Sequence, residues 1–213
     1  MARPSNNIDQ RLLDSGLALL PLTGCRGLSA RRLAEHAQVN LGMFHYHFRS
    51  KDNFIRILLG RLYEQMFSVL VIKAAESKSP LQNLRNALQV LGHFGTSNQR
   101  LLVRIAADAI AGEPVAMEFL RANVPRHVGM LASLIAAAQK AGKIEAAPLP
   151  QILAFLGGSV ITPVLVGSAL IELAGLDPAI QTALQQHVLS EQGLHQRIEF
   201  ALRGLSTDHG KTT

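Results

Sequence analysis

The sequence holds one cysteine, Cys25, and no tryptophan, and only 5% of its 213 residues are aromatic and 17% charged. A single thiol makes no intramolecular disulfide and cannot alone hold a structural zinc, so disulfide-stapled scaffolds and zinc fingers are excluded. Without a disulfide framework a reducing compartment is the expected home. The opening MARPSNNIDQ also lacks the basic-then-apolar run of a secretory signal, so a cytoplasmic protein is expected. Glycine (17) and proline (9) recur without a period, which removes collagen-like and proline-rich filaments. No run alternates apolar and polar residues as a half-buried strand would. There is no phosphate-binding glycine loop, nucleophile elbow or His–Glu metal motif, so no enzyme activity, cofactor or metal is expected. What is present is 48% hydrophobic residues, enough in a chain of this length for a substantial core.

The formal charge of +6 is unevenly placed. Residues 1–61 hold nine Arg and Lys against four Asp and Glu, a balance of +5, and the remainder of the chain is near neutral. A small basic module on a neutral body points to a polyanion, of which nucleic acid is the commonest. From Ala146 to Ile171 there is no charged residue at all. That run is long enough to cross a bilayer, and a membrane-tethered protein is one reading of it. Gly157, Gly158, Pro163 and Gly167 interrupt it, and Glu145 and Glu172 flank it where a membrane span carries Lys or Arg. A buried or oligomer-forming helix is therefore expected, and no membrane partner.

The apolar periodicity is helical throughout, and the fold class read from it is all-α with nine or ten helices. Ile8, Leu12, Leu13, Leu17 and Leu20 mark a first helix that Pro21 and Gly24 should end. Ser29 is placed to cap a short second helix with Leu33, Ala34 and Ala37 on its apolar face. After only Gln38 and Val39, Asn40 caps a third, and Ser50 a long fourth in which Phe54, Leu58, Leu62, Met66 and Leu70 recur every four residues. Further helices are expected from Ser79-Pro80, from Ser97, from Glu113-Pro114 (interrupted at Pro125, closed by Gly142), from Leu149, and from Asp177-Pro178 to about Leu205. Arg104 and Asp108 are spaced for a helical ion pair.

Residues 29–48 are the informative stretch. Two short helices joined tightly, with Ala34 where they cross, make a helix-turn-helix. Leu33, Ala37, Val39, Phe44 and Phe48 should face inward. Asn40, Leu41, Met43, His45, Tyr46 and His47 are left on the outer face of the third helix, which is sized for a major groove about 12 Å wide.

GLSARRLAEHAQVNLGMFHYHFRSKDNF resembles the N-terminal domain of TetR-type (tetracycline-repressor-like) transcriptional regulators. The likeness covers residues 8–60 in order and includes Gly24 and the Phe48-x-Ser50-Lys51 junction. It implies a DNA-binding domain over 1–52 and a helical effector-binding and dimerisation domain over 53–213. It also implies a guanine contact from Arg31, base approach by Asn40, Leu41, Gly42 and Met43, and phosphate contacts from His45 and Lys51. Ser29, Tyr46 and His47 complete the candidate DNA-contact set. Two departures from the family pattern stand out. Gln38 replaces the usual turn glycine, where a left-handed conformation costs about 1 kcal/mol, and His45 replaces a tyrosine.

By the same layout an effector cavity is expected among Met66, Phe67, Leu70, Phe94, Leu101, Arg104, Ile105, Phe119, His127 and Met130. These are flexible, largely apolar side chains that suit a small apolar molecule. A homodimer contact is expected through Phe155, Val160, Val164, Leu165, Leu194, Ile198 and Leu202, helped by small residues such as Gly167 and Ser168. The resulting reading is a homodimeric, effector-released repressor of a palindromic operator on double-stranded DNA. The alternative is a helical-bundle enzyme or small-molecule carrier with an incidental basic end.

Overall fold

The computed structural model describes residues 7–207, with all their side chains except those of 168–170 and 172–173. The expectation for Ser168 therefore lies outside the described residues. Eleven helices occur among them: α1 (Ile8–Gly27), α2 (Ala30–His36), α3 (Leu41–Phe48), α4 (Lys51–Ala74), α5 (Pro80–Ser97), α6 (Gln99–Ile110), α7 (Pro114–Lys140), α8 (Leu149–Leu156), α9 (Thr162–Leu173), α10 (Pro178–Leu184) and α11 (Glu191–Leu205). The all-α reading holds, and an isolated antiparallel bridge joins Ile144 to Ser206.

The count exceeds the expected nine or ten because two long segments subdivide. The apolar run passes through a π-helical turn at Gly157–Ile161 between α8 and α9. The last segment breaks at Ser190, whose extended backbone and side chain cap α11 by accepting from the Gly193 amide at 3.0 Å. Three expected punctuation points fail. Pro21 and Pro125 lie inside α1 and α7 rather than ending or interrupting them. Both stand where solvent reaches the helix, so the carbonyl that loses its amide partner four residues back is open to water. Ser97 is the last residue of α5 and does not cap α6.

The described residues form two compact units. The first takes in the chain up to Glu64 together with Arg100–Asn123, so it extends past residue 52 and includes a later segment. Its core is built from Leu12 and Leu20 of α1, Leu33 of α2, Phe44 and Phe48 of α3, and Phe54, Ile55 and Leu59 of α4. Leu101 and Ile105 of α6 and Val115 and Ala116 of α7 complete that cluster.

The second unit holds Gln65–Gln99 and the chain from Val124 onward. Its core joins Leu84 and Leu88 of α5, Ile135 and Ala138 of α7, Ile152 and Leu156 of α8, and Leu194, Ile198 and Leu202 of α11. Helices α5 and α11 approach closely, since a Cβ on Gly92 would fall 2.5 Å from a Leu194 methyl. Arg85 clasps Glu199 across them, Nε and Nη2 donating to the two carboxylate oxygens at 2.6 and 3.2 Å. Leu149–Gly167 is long and apolar enough to cross a membrane by length and composition. Its stripe of Ile152, Leu156, Val160 and Val164 is packed inside this unit.

Candidate nucleic-acid interface

The helix-turn-helix is fastened by its caps. Ser29 Oγ accepts from the Arg32 amide at 3.2 Å and Asn40 Oδ1 from the Gly42 amide at 2.8 Å, satisfying donors that open helix ends leave bare. Between the helices Gln38 is left-handed, with φ 54°. This is the strained turn the missing glycine implies. Arg11 of α1, which sequence reasoning passed over, steadies it: Nη2 donates to the carbonyls of Ala37 and Gln38 at 2.5 and 3.2 Å. Nothing local in the sequence marks a residue 26 positions away as the turn's support. We expect Gln38→Gly to raise stability by about 0.5 kcal/mol or less, strain relief slightly outweighing the extra chain entropy of glycine. Thermal denaturation checks this, and an unchanged or lower Tm contradicts it.

Beneath the recognition face, Phe44, Phe48 and Phe54 pack ring against ring with centroids 4.9–5.7 Å apart. Phe44 is wholly buried, so α3 is anchored along one side. Leu33, Ala34 and Ala37 are likewise buried and Val39 packs on the same core, as the periodicity implies. The opposite side of α3 is open. Asn40, Leu41, Gly42, His45, Tyr46 and His47 are exposed and Met43 is half-buried. Tyr46 is 78% exposed. Its ring stands edge-on to His47 at 5.2 Å. His45 Nδ1 lies 3.2 Å from the Arg49 carbonyl, where the chain leaves α3 through a second left-handed residue, Arg49 (φ 63°).

Arg31 stands on the exposed side of α2, paired with Glu35 at 2.9 Å. Such a surface pair contributes little, about 0.2–1 kcal/mol, and its guanidinium is exchanged readily for a better acceptor. Lys51, at the first position of α4, donates from Nζ to the Cys25 carbonyl at 2.9 Å. Its remaining two protons are still available to a phosphate.

That carbonyl belongs to the bend at the end of α1. Gly24 adopts φ 66° and ψ 179°, a region in practice closed to other residues. The following amide, of Cys25, donates to Asp108 Oδ2 at 2.7 Å. Asp108 is buried and flanked by Arg104, Nε–Oδ1 3.6 Å, as their spacing implies. Burial first, then the hydrogen bond and charge of Asp108, push the Cys25 thiol up to about 12. It stays protonated at neutral pH and is a packing residue, inert as a nucleophile.

Elsewhere the structure redistributes the expected residues. Leu101 and Ile105 are core side chains of the first unit and Phe119 packs against that core. Arg104 is committed to Asp108 and the Thr23 carbonyl. Met66 and Leu70 are buried, while Phe67, Phe94, His127 and Met130 are half-buried, with Arg126 lying 4.2 Å over the Phe67 ring. The expected dimer contact divides in the same way. Val160, Val164, Leu194, Ile198 and Leu202 are buried within the chain at 5% exposure or less, which withdraws them from any intersubunit face. A stripe recurring every four residues cannot distinguish a chain's own core from a partner's surface. Phe155 is exposed, and so is Phe200, which the stripe of α11 omitted. Leu165 is half-buried.

Residues 12–56 match the family model described as bacterial regulatory proteins, tetR family. No curated protein matches the chain. Several solved structures share its fold. A Rhodococcus sp. protein classed with the TetR-family transcriptional regulators is 18% identical, with a TM-score of 0.61 over 94% of this chain and 98% of that one. The ketosteroid transcriptional regulator KstR2 of Mycobacterium tuberculosis is 14% identical, with a TM-score of 0.68 over 95% and 96%. The transcriptional regulator FadR of Bacillus subtilis, solved in complex with stearoyl-CoA, is 12% identical, with a TM-score of 0.70 over 92% and 98%.

Proposed function

From the match of residues 12–56 to the tetR family model of bacterial regulatory proteins, we propose that this chain is a regulator of that family, a cytoplasmic, effector-responsive repressor. It binds a palindromic operator as a homodimer and performs no catalysis. The observation that carries this reading is the open face of α3, held by a ring-packed core and set in the most basic third of the sequence. A rigid helix with polar and aromatic side chains outward, beside Arg31 and Lys51, is equipped to read base edges and seat on phosphates.

The roles divide by chemistry. Arg31 has the paired donors for a guanine, so Arg31→Ala should cost roughly 1–3 kcal/mol and relax one operator position. Lys51 offers a point charge to a phosphate, so Lys51→Ala should weaken all sequences alike and flatten the salt slope by about 0.9. Binding titrations over a range of salt, on operator fragments captured by the purified protein, measure both. Equal loss of specificity in the two variants contradicts the division.

For the homodimer we place the contact on the solvent side of α8 and α11, at Phe155 and Phe200, where two exposed phenylalanines favour cover. For the effector we keep Phe67, Phe94, His127 and Met130 of the second unit, half-buried side chains able to shift around an apolar molecule. The regulators of similar fold described as a ketosteroid regulator and as a complex with stearoyl-CoA support a largely apolar effector. Such a molecule relieves repression to the extent that it binds the non-operator conformation more tightly.

A further inference from the structure

The joint between α3 and α4 consists of Arg49 and Ser50 alone. Arg49 turns the chain there with φ 63° and ψ −52°, and the Ser50 amide donates to the Phe48 carbonyl at 2.7 Å. Three residues closed by such a bond form a γ-turn, and positive φ makes it the rare, strained hand. The surroundings hold it in place. The Asn53 side chain donates to the same Phe48 carbonyl at 3.0 Å. Arg49 is tied to His45 at both backbone groups: its amide donates to the His45 carbonyl at 3.0 Å, and its own carbonyl accepts from His45 Nδ1 at 3.2 Å. Glycine would make this turn without strain, so the arginine side chain carries a cost that the fold does not require. That side chain is exposed and has no hydrogen-bond or ion-pair partner among the described residues. Arg11, Arg26, Arg31, Arg56 and Lys51 differ, each spending a donor on an acceptor of its own chain.

We propose that Arg49 is a further DNA-backbone contact, its guanidinium seated on a phosphate at the end of the recognition helix. This rests on the DNA-binding reading above and adds to it a residue outside the candidate contact set. Backbone strain that its surroundings over-determine gathers at functional positions, and what this turn presents to solvent is a guanidinium with all its donors unspent. Its planar fork matches a pair of phosphate oxygens. His45 is poorly equipped to take the same role. A carbonyl only accepts, so the bond to Arg49 places a proton on His45 Nδ1, and the neutral ring then has none on Nε2 to give a phosphate. A phosphate contact is indifferent to base sequence, so Arg49 contributes affinity and register and leaves base reading to the side chains of α3.

Arg49→Gly separates the side chain from the turn. Its Tm should equal or exceed the parent's, because glycine accepts positive φ without strain. Its affinity should fall roughly 10-fold on a captured operator fragment and on a mixed-sequence duplex alike, the loss of one charged hydrogen-bonded contact. The salt slope should flatten by about 0.9, the value for one phosphate. Arg49→Lys keeps a cation at the same place and should keep the parent's slope. Binding titrations over a range of salt, beside thermal denaturation of the full chain, measure all of these. A parent-like salt slope in Arg49→Gly overturns the proposal, whether or not affinity falls. A loss confined to the operator fragment also overturns it, since Arg49 is then a base contact. A loss accompanied by a lower Tm does the same, since the arginine then serves the fold. If the parent chain binds neither duplex, the DNA-binding reading itself fails and this contact with it.

Discussion

Phe44→Ala should cost about 3–5 kcal/mol and abolish binding to every DNA sequence alike. Phe44 is fully buried and touches both other rings of the cluster, at 5.7 Å from Phe48 and 5.5 Å from Phe54. It is the main apolar anchor of an eight-residue helix, too short to persist without tertiary packing. The cavity left behind also loosens the junction into α4, so Lys51 and the caps go with it. Because the chain has two compact units, a single global melting curve is a poor readout. Amide hydrogen exchange resolved along the chain is the better one, with protection lost in α1–α3. If exchange there is unchanged while DNA binding disappears, Phe44 acts by some route other than anchoring α3.

Gly24→Ala is the second substitution with a large expected effect. The residue occupies φ 66° and ψ 179°, which costs a side-chain-bearing residue about 1–3 kcal/mol. Its new Cβ would also fall 2.4 Å from Arg104 Nε and 2.8 Å from Asp108 Oδ2. Displacing those groups adds roughly 1–3 kcal/mol, the cost of overpacking. The first casualty is the bond from the Cys25 amide to Asp108, and with it the carbonyl that seats Lys51. Operator affinity should therefore fall together with stability, unlike Lys51→Ala, where affinity falls through a lost phosphate contact. Denaturant unfolding beside DNA titration distinguishes the two, and a stable Gly24→Ala protein would contradict the account of the bend.

Much of the candidate interface was legible because its signals are local. Ser29 and Asn40 sit at cap positions, Gln38 stands where a turn needs positive φ, and the inward set from Leu33 to Phe48 follows helical spacing. What escaped was long-range. Arg11 braces a turn 26 residues away and Asp108 holds an amide 83 residues away, and neither shows in a window of sequence. Prolines misled because a helix tolerates one where solvent can serve the orphaned carbonyl, as at Pro125. The stripe of α11 was read correctly as apolar and assigned to the wrong neighbour, because Leu194 and Ile198 face α5 and α8 of their own chain.

The π-helical turn at Gly157–Ile161 carries a consequence for how this segment tolerates change. In an α-helix each residue advances about 100°, so a stripe repeating every four residues slips about 40° per step. Ile152, Leu156, Val160 and Val164 nevertheless all stay buried, because one wider turn absorbs the slip. That turn is equivalent to one extra residue looped into the helix. Point substitutions within the run change a single contact. A one-residue deletion inside the turn removes that extra residue, closing it to regular α-helix and leaving Val164 in phase with the core, whereas a deletion in the regular turns of α8 rotates everything before or after it by about 100°. Library variants with single-codon deletions between residues 157 and 161 should therefore survive more often than those with single-codon deletions between residues 150 and 155.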